Sequence, residues 1–140
     1  MSHNAHDAYL ENRIESADPI QLVRLLYQGA TASVREARSH LAAGEIMARS
    51  QAISKAHAIL TELFMSLDRE RGGELSQRLA QLYDYMQRRL LAANIEQSAT
   101  PLAEVETLLR TVLEGWRSCL QEVEVPSAET QGSSFLAYSF

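Results

Sequence analysis

A chain of 140 residues with 46% apolar and 22% charged side chains has material for one hydrophobic core and, by default, one domain. Its 18 acidic residues outnumber 13 basic ones, and a net charge of −5 argues against a general nucleic-acid partner, because phosphate-backbone binding needs a basic face. Met1 to Asp18 is polar and lacks the apolar run of a secretory signal, no later run approaches the roughly 20 residues of a membrane span, and Cys119 is alone, which excludes an internal disulfide.

An irregular lead, residues 1–18, precedes the first periodic segment. That segment opens at Asp18-Pro19, where an aspartate can accept from free amides and proline suits the first helical position. Its stripe runs Val23, Leu26, Ala30, Val34, Ala37, Leu41 and stops at Gly44. The second segment, from about Glu45 to Arg71, carries Ile46, Ile53, Ala56, Leu60, Leu63 and Leu67, and Gly72-Gly73 ends it. The third, Glu74 to about Asn94, carries Leu75, Leu79, Leu82, Met86, Leu90 and Ala93. Thr100-Pro101 repeats the cap-then-proline signal, and the fourth segment shows Leu102, Val105, Leu109, Val112, Trp116 and Cys119, fading after Val123. Matched helices joined by tight turns predict an all-α fold, an antiparallel up-down four-helix bundle over 19–123. Residues 124–140 read as a linker followed by an apolar tail, Phe135 to Phe140.

The search for catalytic chemistry is unproductive. Di-iron bundles use Glu-x-x-His pairs, and the sequence has none; Glu36 with His40 reads as a solvated helix-face pair. There is no phosphate-binding glycine loop, no cysteine pair for zinc and no nucleophile with a base, so no enzymatic activity, no metal and no cofactor are expected. His57 keeps a phosphotransfer module open as an alternative, and a purely structural helical oligomer is another. What the sequence has in excess is apolar surface. Ile20, Leu22, Val23, Leu25, Leu26 and Tyr27 go nearly all the way round the first helix, whereas one core stripe needs little more than about 100°. Leu22, Leu25 and Gly29, with Leu108 and Leu113 on the fourth helix and Tyr83, Tyr85 and Leu91 on the third, fall beside the core series; either the N-terminal lead and C-terminal tail cover them, or they form a partner groove.

Particular strings then stand out: Leu26-Tyr27-Gln28-Gly29-Ala30; Leu67-Asp68 with Glu70-Arg71-Gly72-Gly73-Glu74; and Leu82-Tyr83-Asp84-Tyr85-Met86 followed by Arg88-Arg89-Leu90 and Ala93-Asn94. With Ala8-Tyr9, Asn12 and Ala17-Asp18-Pro19 ahead of them and Trp116 behind, they resemble the flagellar secretion chaperone family, the FliS-type cytosolic escorts of flagellin, over residues 8 to 120. The resemblance implies a cytoplasmic helical bundle that binds the C-terminal segment of flagellin, prevents its premature polymerisation and delivers it to the flagellar type III export machinery, with no cofactor, nucleic acid or membrane insertion. On this reading Leu22, Leu25, Tyr27, Ile59, Tyr83, Tyr85 and Leu91 contribute partner contacts, Tyr9 and Ile14 form a lid, and pairing into a homodimer stays open. Two positions depart from the family pattern, Gln28 where an acidic residue is usual and Lys55-Ala56-His57 where a KAQ-like string is usual, and both bear on partner specificity.

Overall fold

The computed structural model describes residues 19–68 and 70–124, with side chains over 21–68 and 70–116. Within them the chain forms four α-helices and no strand: α1 Pro19–Ala42, α2 Ile46–Met65, α3 Gly73–Glu96 and α4 Ala99–Glu124. The expected lead and apolar tail, and with them Tyr9, Ile14 and Phe135 to Phe140, lie outside the described residues.

Each helix packs against its neighbours in a closed ring, α1 on α2 and α4, α3 on α2 and α4, while the diagonal pairs barely touch. Cross-links show the directions. Arg49 and Thr61 of α2 meet Asn94 and Gln87 of α3, in reverse order along the two chains, which makes the pair antiparallel. The all-α, up-down four-helix bundle expected from the sequence is the observed fold.

The connections follow from local chemistry. After α1, Gly44 adopts φ +73°, and the amides of Gly44 and Glu45 reach back to the carbonyls of Leu41 and His40 at 3.2 and 2.9 Å. This is a Schellman closure, in the left-handed conformation that glycine tolerates best. α2 ends at Met65, six residues before the expected Arg71. There Asp68 competes for the backbone: its Oδ1 accepts from the Arg71 amide at 3.0 Å, and its carbonyl accepts from Gly72 N–H at 2.7 Å and from the Ser76 hydroxyl at 3.0 Å. α3 runs to Glu96 and closes through Gln97, held at φ 53°, with Ser98 N–H bonded to the Ala93 carbonyl at 3.1 Å. The next cap is Ser98 rather than Thr100, since Ser98 Oγ accepts from the Thr100 amide at 3.3 Å and α4 begins at Ala99.

Val23, Leu26, Ala30, Val34 and Ala37 of α1 meet Ile53, Ala56, Leu60 and Leu63 of α2, Leu79, Met86, Leu90 and Ala93 of α3, and Leu102, Val105 and Leu109 of α4 in one core. Two expected registers shift. On α3 the core position falls to Tyr83, with Leu82 only partly buried, and on α4 it falls to Leu113 with Val112 partly buried. Ile46 is not a core residue either, being 59% exposed at the start of α2. The tyrosine enters because its hydroxyl is satisfied: Tyr27 and Tyr83 share a hydrogen bond between their hydroxyls, their rings lie 6.3 Å apart at 52°, and the Trp116 indole N–H donates to Tyr27. Burial pushes the Tyr27 phenol up to about 12 against the opposing pull of its hydrogen bonds, and burial raises Tyr83 as well.

The charged exceptions to the core lie on opposite seams. Between α1 and α4, Glu106 is buried, its Oε1 accepting from Arg38 at 2.7 Å and its Oε2 from Arg35 at 3.1 Å and Arg110 at 2.8 Å. Burial alone would raise this carboxyl, yet the Arg38 and Arg35 hydrogen bonds and the Arg110 charge outweigh it and hold the group below the ordinary carboxylate range. Between α2 and α3, Arg49 is only 5% exposed and donates to neutral oxygens: Asn94 Oδ1 at 3.1 Å, with Asn94 O and Gln97 Oε1 each at 3.4 Å.

Candidate partner-binding surface

α2 carries only three charged residues in its 20, Arg49, Lys55 and Glu62, and the first of these is buried. Its apolar character therefore does not end where the core ends. Positions 47, 54, 58 and 65 recur at helical spacing, and the side chains there, Met47, Ser54, Ala58 and Met65, are all exposed. Among the described residues, every exposed large hydrophobic belongs to α2 or α3: Ile46, Met47 and Met65 on the former, Tyr85, Leu91 and Ile95 on the latter.

The hydrogen bonds between these two helices orient that surface. Gln87 Nε2 donates to Thr61 Oγ1 at 2.8 Å and to the His57 carbonyl at 3.2 Å, and Ser50 Oγ donates to Asn94 Oδ1 at 3.0 Å. Leu91 and Ile95 stand one and two turns beyond Gln87 on its solvent side, so they rim a shallow groove whose other wall is Met47, Ser54 and Ala58. The polar rungs below form its floor. Because the helices are antiparallel, Met47 stands level with Ile95 at one end, while Met65 marks the other.

On its opposite flank α2 lies close to α1. A Cβ at Gly29 would stand 3.3 Å from Ile59 Cδ1, so glycine allows this approach. Leu22, about two turns earlier on the same side, is partly buried against the core, and Leu25 is half-buried beside it.

The described residues singled out from the sequence thus separate into four places. Leu22, Leu25 and Ile59 gather at the α1–α2 seam, and Leu91 lines the α2–α3 groove. Tyr85 faces α4 instead, its hydroxyl donating to Glu104 Oε2 at 2.7 Å while Arg89 Nε donates to Glu104 Oε1 at 2.6 Å. The bond to Glu104 raises the Tyr85 phenol, and the same bond, with that from Arg89, lowers Glu104. Tyr27 and Tyr83, at 0% and 2% exposure, present no surface in this conformation. Tyr9 and Ile14 lie outside the described residues. His57 is half-buried on the α2–α3 seam. Sequence reasoning passed over Met47, Met65 and Ile95, and the scarcity of charge throughout α2 is the signal that points to that helix.

No described helix is long and apolar enough to cross a membrane. The family model described as flagellar protein FliS matches residues 1–123. The flagellar secretion chaperone FliS of Salmonella typhimurium is 42% identical over 109 residues, covering 77% of this chain and 81% of the relative. FliSB, a flagellar secretion chaperone of Pseudomonas aeruginosa, is 38% identical over 107 residues, 76% of this chain and 85% of its own. The Bacillus subtilis flagellar secretion chaperone FliS is 33% identical over 118 residues, 84% and 87% respectively. A bundle of this architecture, with its spare apolar surface on one pair of helices and a match that takes in all but the last 17 residues, belongs to the FliS family of flagellar secretion chaperones.

Proposed function

We propose that this chain escorts flagellin in the cytoplasm: it binds flagellin's C-terminal segment, keeps it from polymerising and presents it to the flagellar type III export machinery, without catalysis. The observation that supports this reading most is the confinement, among the described residues, of exposed large hydrophobics to α2 and α3. Such a patch suits a client segment that is helix-prone and amphipathic, which lays apolar side chains at i, i+3, i+4 and i+7 into a groove. Apolar surface on both flanks of α2 suits a client that wraps, and a wide contact offsets the several kcal/mol that ordering a flexible segment costs.

On this proposal Leu91, Ile95, Met47 and Met65 meet the client directly, and Leu22, Leu25 and Ile59 do so along the second flank. Tyr27 and Tyr83 act from below, fixing the spacing of the helices that carry the surface. Tyr85 contributes at the α3–α4 edge, and Tyr9 and Ile14 close over the site as a lid. The test is co-elution on a sizing column with monomeric flagellin. Full-length flagellin and flagellin lacking its N-terminal segment should form a complex, and flagellin lacking its C-terminal segment should not; equal loss with either truncation refutes the mode of binding.

A further inference from the structure

The α1–α4 seam lies across the bundle from the α2–α3 groove and has the opposite character. Around the buried Glu106 stand three guanidinium groups, Arg35 and Arg38 from α1 and Arg110 from α4, three positive charges against one negative in a chain whose net charge is −5. One guanidinium is enough to neutralise a carboxylate, and a bidentate pair is the usual way to do it. Here none of the three is bidentate: Arg35 uses Nε, Arg38 uses Nη1 and Arg110 uses Nη2. The Nη edge of Arg35 and the Nε–Nη2 edge of Arg38 are left for a second acceptor.

These two side chains keep 60% and 43% of their surface, so the remaining edges are reachable. They wall an open cleft with Ser39 and the Glu106 carboxylate they already neutralise, and its apolar lining is Leu41 and Ala42 of α1 and Ala99 of α4. Glu106 orients both arginines from beneath, which lowers the side-chain entropy that a second ion pair must overcome. A cationic wall over a small apolar floor fits a carboxylate side chain flanked by a hydrophobic one.

We propose that this cleft is a second docking site, in which Arg35 and Arg38 bind the aspartate or glutamate side chains of an acidic segment of a protein partner, and Leu41 and Ala99 receive a neighbouring apolar side chain. The site is open when the α2–α3 groove is filled, because the two seams are on opposite sides of the ring. A single chain can then hold two partners at once.

The probe is a blocked hexapeptide of alternating glutamate and leucine, titrated into the full-length protein labelled with nitrogen-15 at arginine, with the matching glutamine-leucine peptide as control. The expected result is a saturable shift of the Arg35, Arg38 and Arg110 Nε–H signals by the acidic peptide alone, weakening as salt is raised. Arg35→Ala with Arg38→Ala, titrated well below its melting point, should weaken the peptide by about tenfold or more, and its melting temperature falls because the buried Glu106 loses two of its three partners. Three outcomes overturn the proposal: no saturable shift, equal shifts at Arg78 and Arg88 on α3, or equal affinity for the glutamine peptide. If the double variant is unfolded at the titration temperature, Arg38→Lys decides in its place. A lysine keeps the charge but not the fork, so unchanged affinity there also refutes the site.

Discussion

At the scale of single residues, the core is held by polar contacts as well as by apolar packing. Tyr27 Oη stands between Tyr83 and Trp116, so one atom joins α1, α3 and α4. Tyr27→Phe removes it and strands two buried polar groups, which costs about 1 to 3 kcal/mol. Urea denaturation should show that loss as a lower midpoint at unchanged slope, and Tyr83→Phe, which leaves the Trp116 bond in place, should lose less. Glu106 gives a second prediction, this one about pH. Its folded pKa is lowered, so its contribution is fully present above the unfolded carboxylate pKa and is lost as pH falls through the folded value. Glu106→Gln should therefore be less stable than the parent at pH 7, and the gap should narrow as the pH drops below the ordinary carboxylate range. A gap that stays constant down to pH 3 contradicts the assignment.

At the scale of elements, two glycines that look alike in the sequence should respond to alanine with opposite signs. Neither would meet another atom: a Cβ at Gly44 or at Gly115 has nothing within 4 Å. Gly44 closes α1 at φ +73°, where a Cβ strains the backbone, so Gly44→Ala should destabilise by about 1 kcal/mol. Gly115 is exposed inside α4, and Gly115→Ala should stabilise by about 0.5 to 1 kcal/mol, as thermal melts would show. The same elements mark what was legible beforehand. Pro19, Gly44 and Gly72-Gly73 punctuate the chain strongly, and the helix starts and the first stop fell close to where they pointed. The end of α2 did not, because Leu67 continues the apolar spacing while Asp68 takes the backbone hydrogen bonds. On α3 a count of apolar positions favours Leu82, since the partners that make a tyrosine acceptable in the core arrive from other helices and leave no trace in the local pattern.

For the whole molecule, the groove was only half legible. The sequence shows a surplus of apolar residues, but which ones the surplus comprises depends on the angle at which α2 and α3 meet, and that angle is set by Gln87, Thr61, Arg49 and Asn94. If the client lies there, Leu91→Ser with Ile95→Ser should weaken flagellin by tenfold or more in a calorimetric titration, since apolar anchors commonly carry over 1 kcal/mol each. Both side chains are at least half exposed, so the melting temperature should stay within a few degrees. Unchanged affinity places the client elsewhere. The ring of short connections also has a consequence in time. Every neighbouring pair except α1 and α4 is adjacent in the chain, and helical bundles with such local contacts fold in microseconds to milliseconds. A ribosome adding roughly 5 to 20 residues per second is far slower. The step that waits is the arrival of α4, which brings Trp116 to Tyr27 and Glu106 to the arginines of α1. Until that helix leaves the ribosome the bundle lacks its fourth wall, and once it does the molecule closes almost at once.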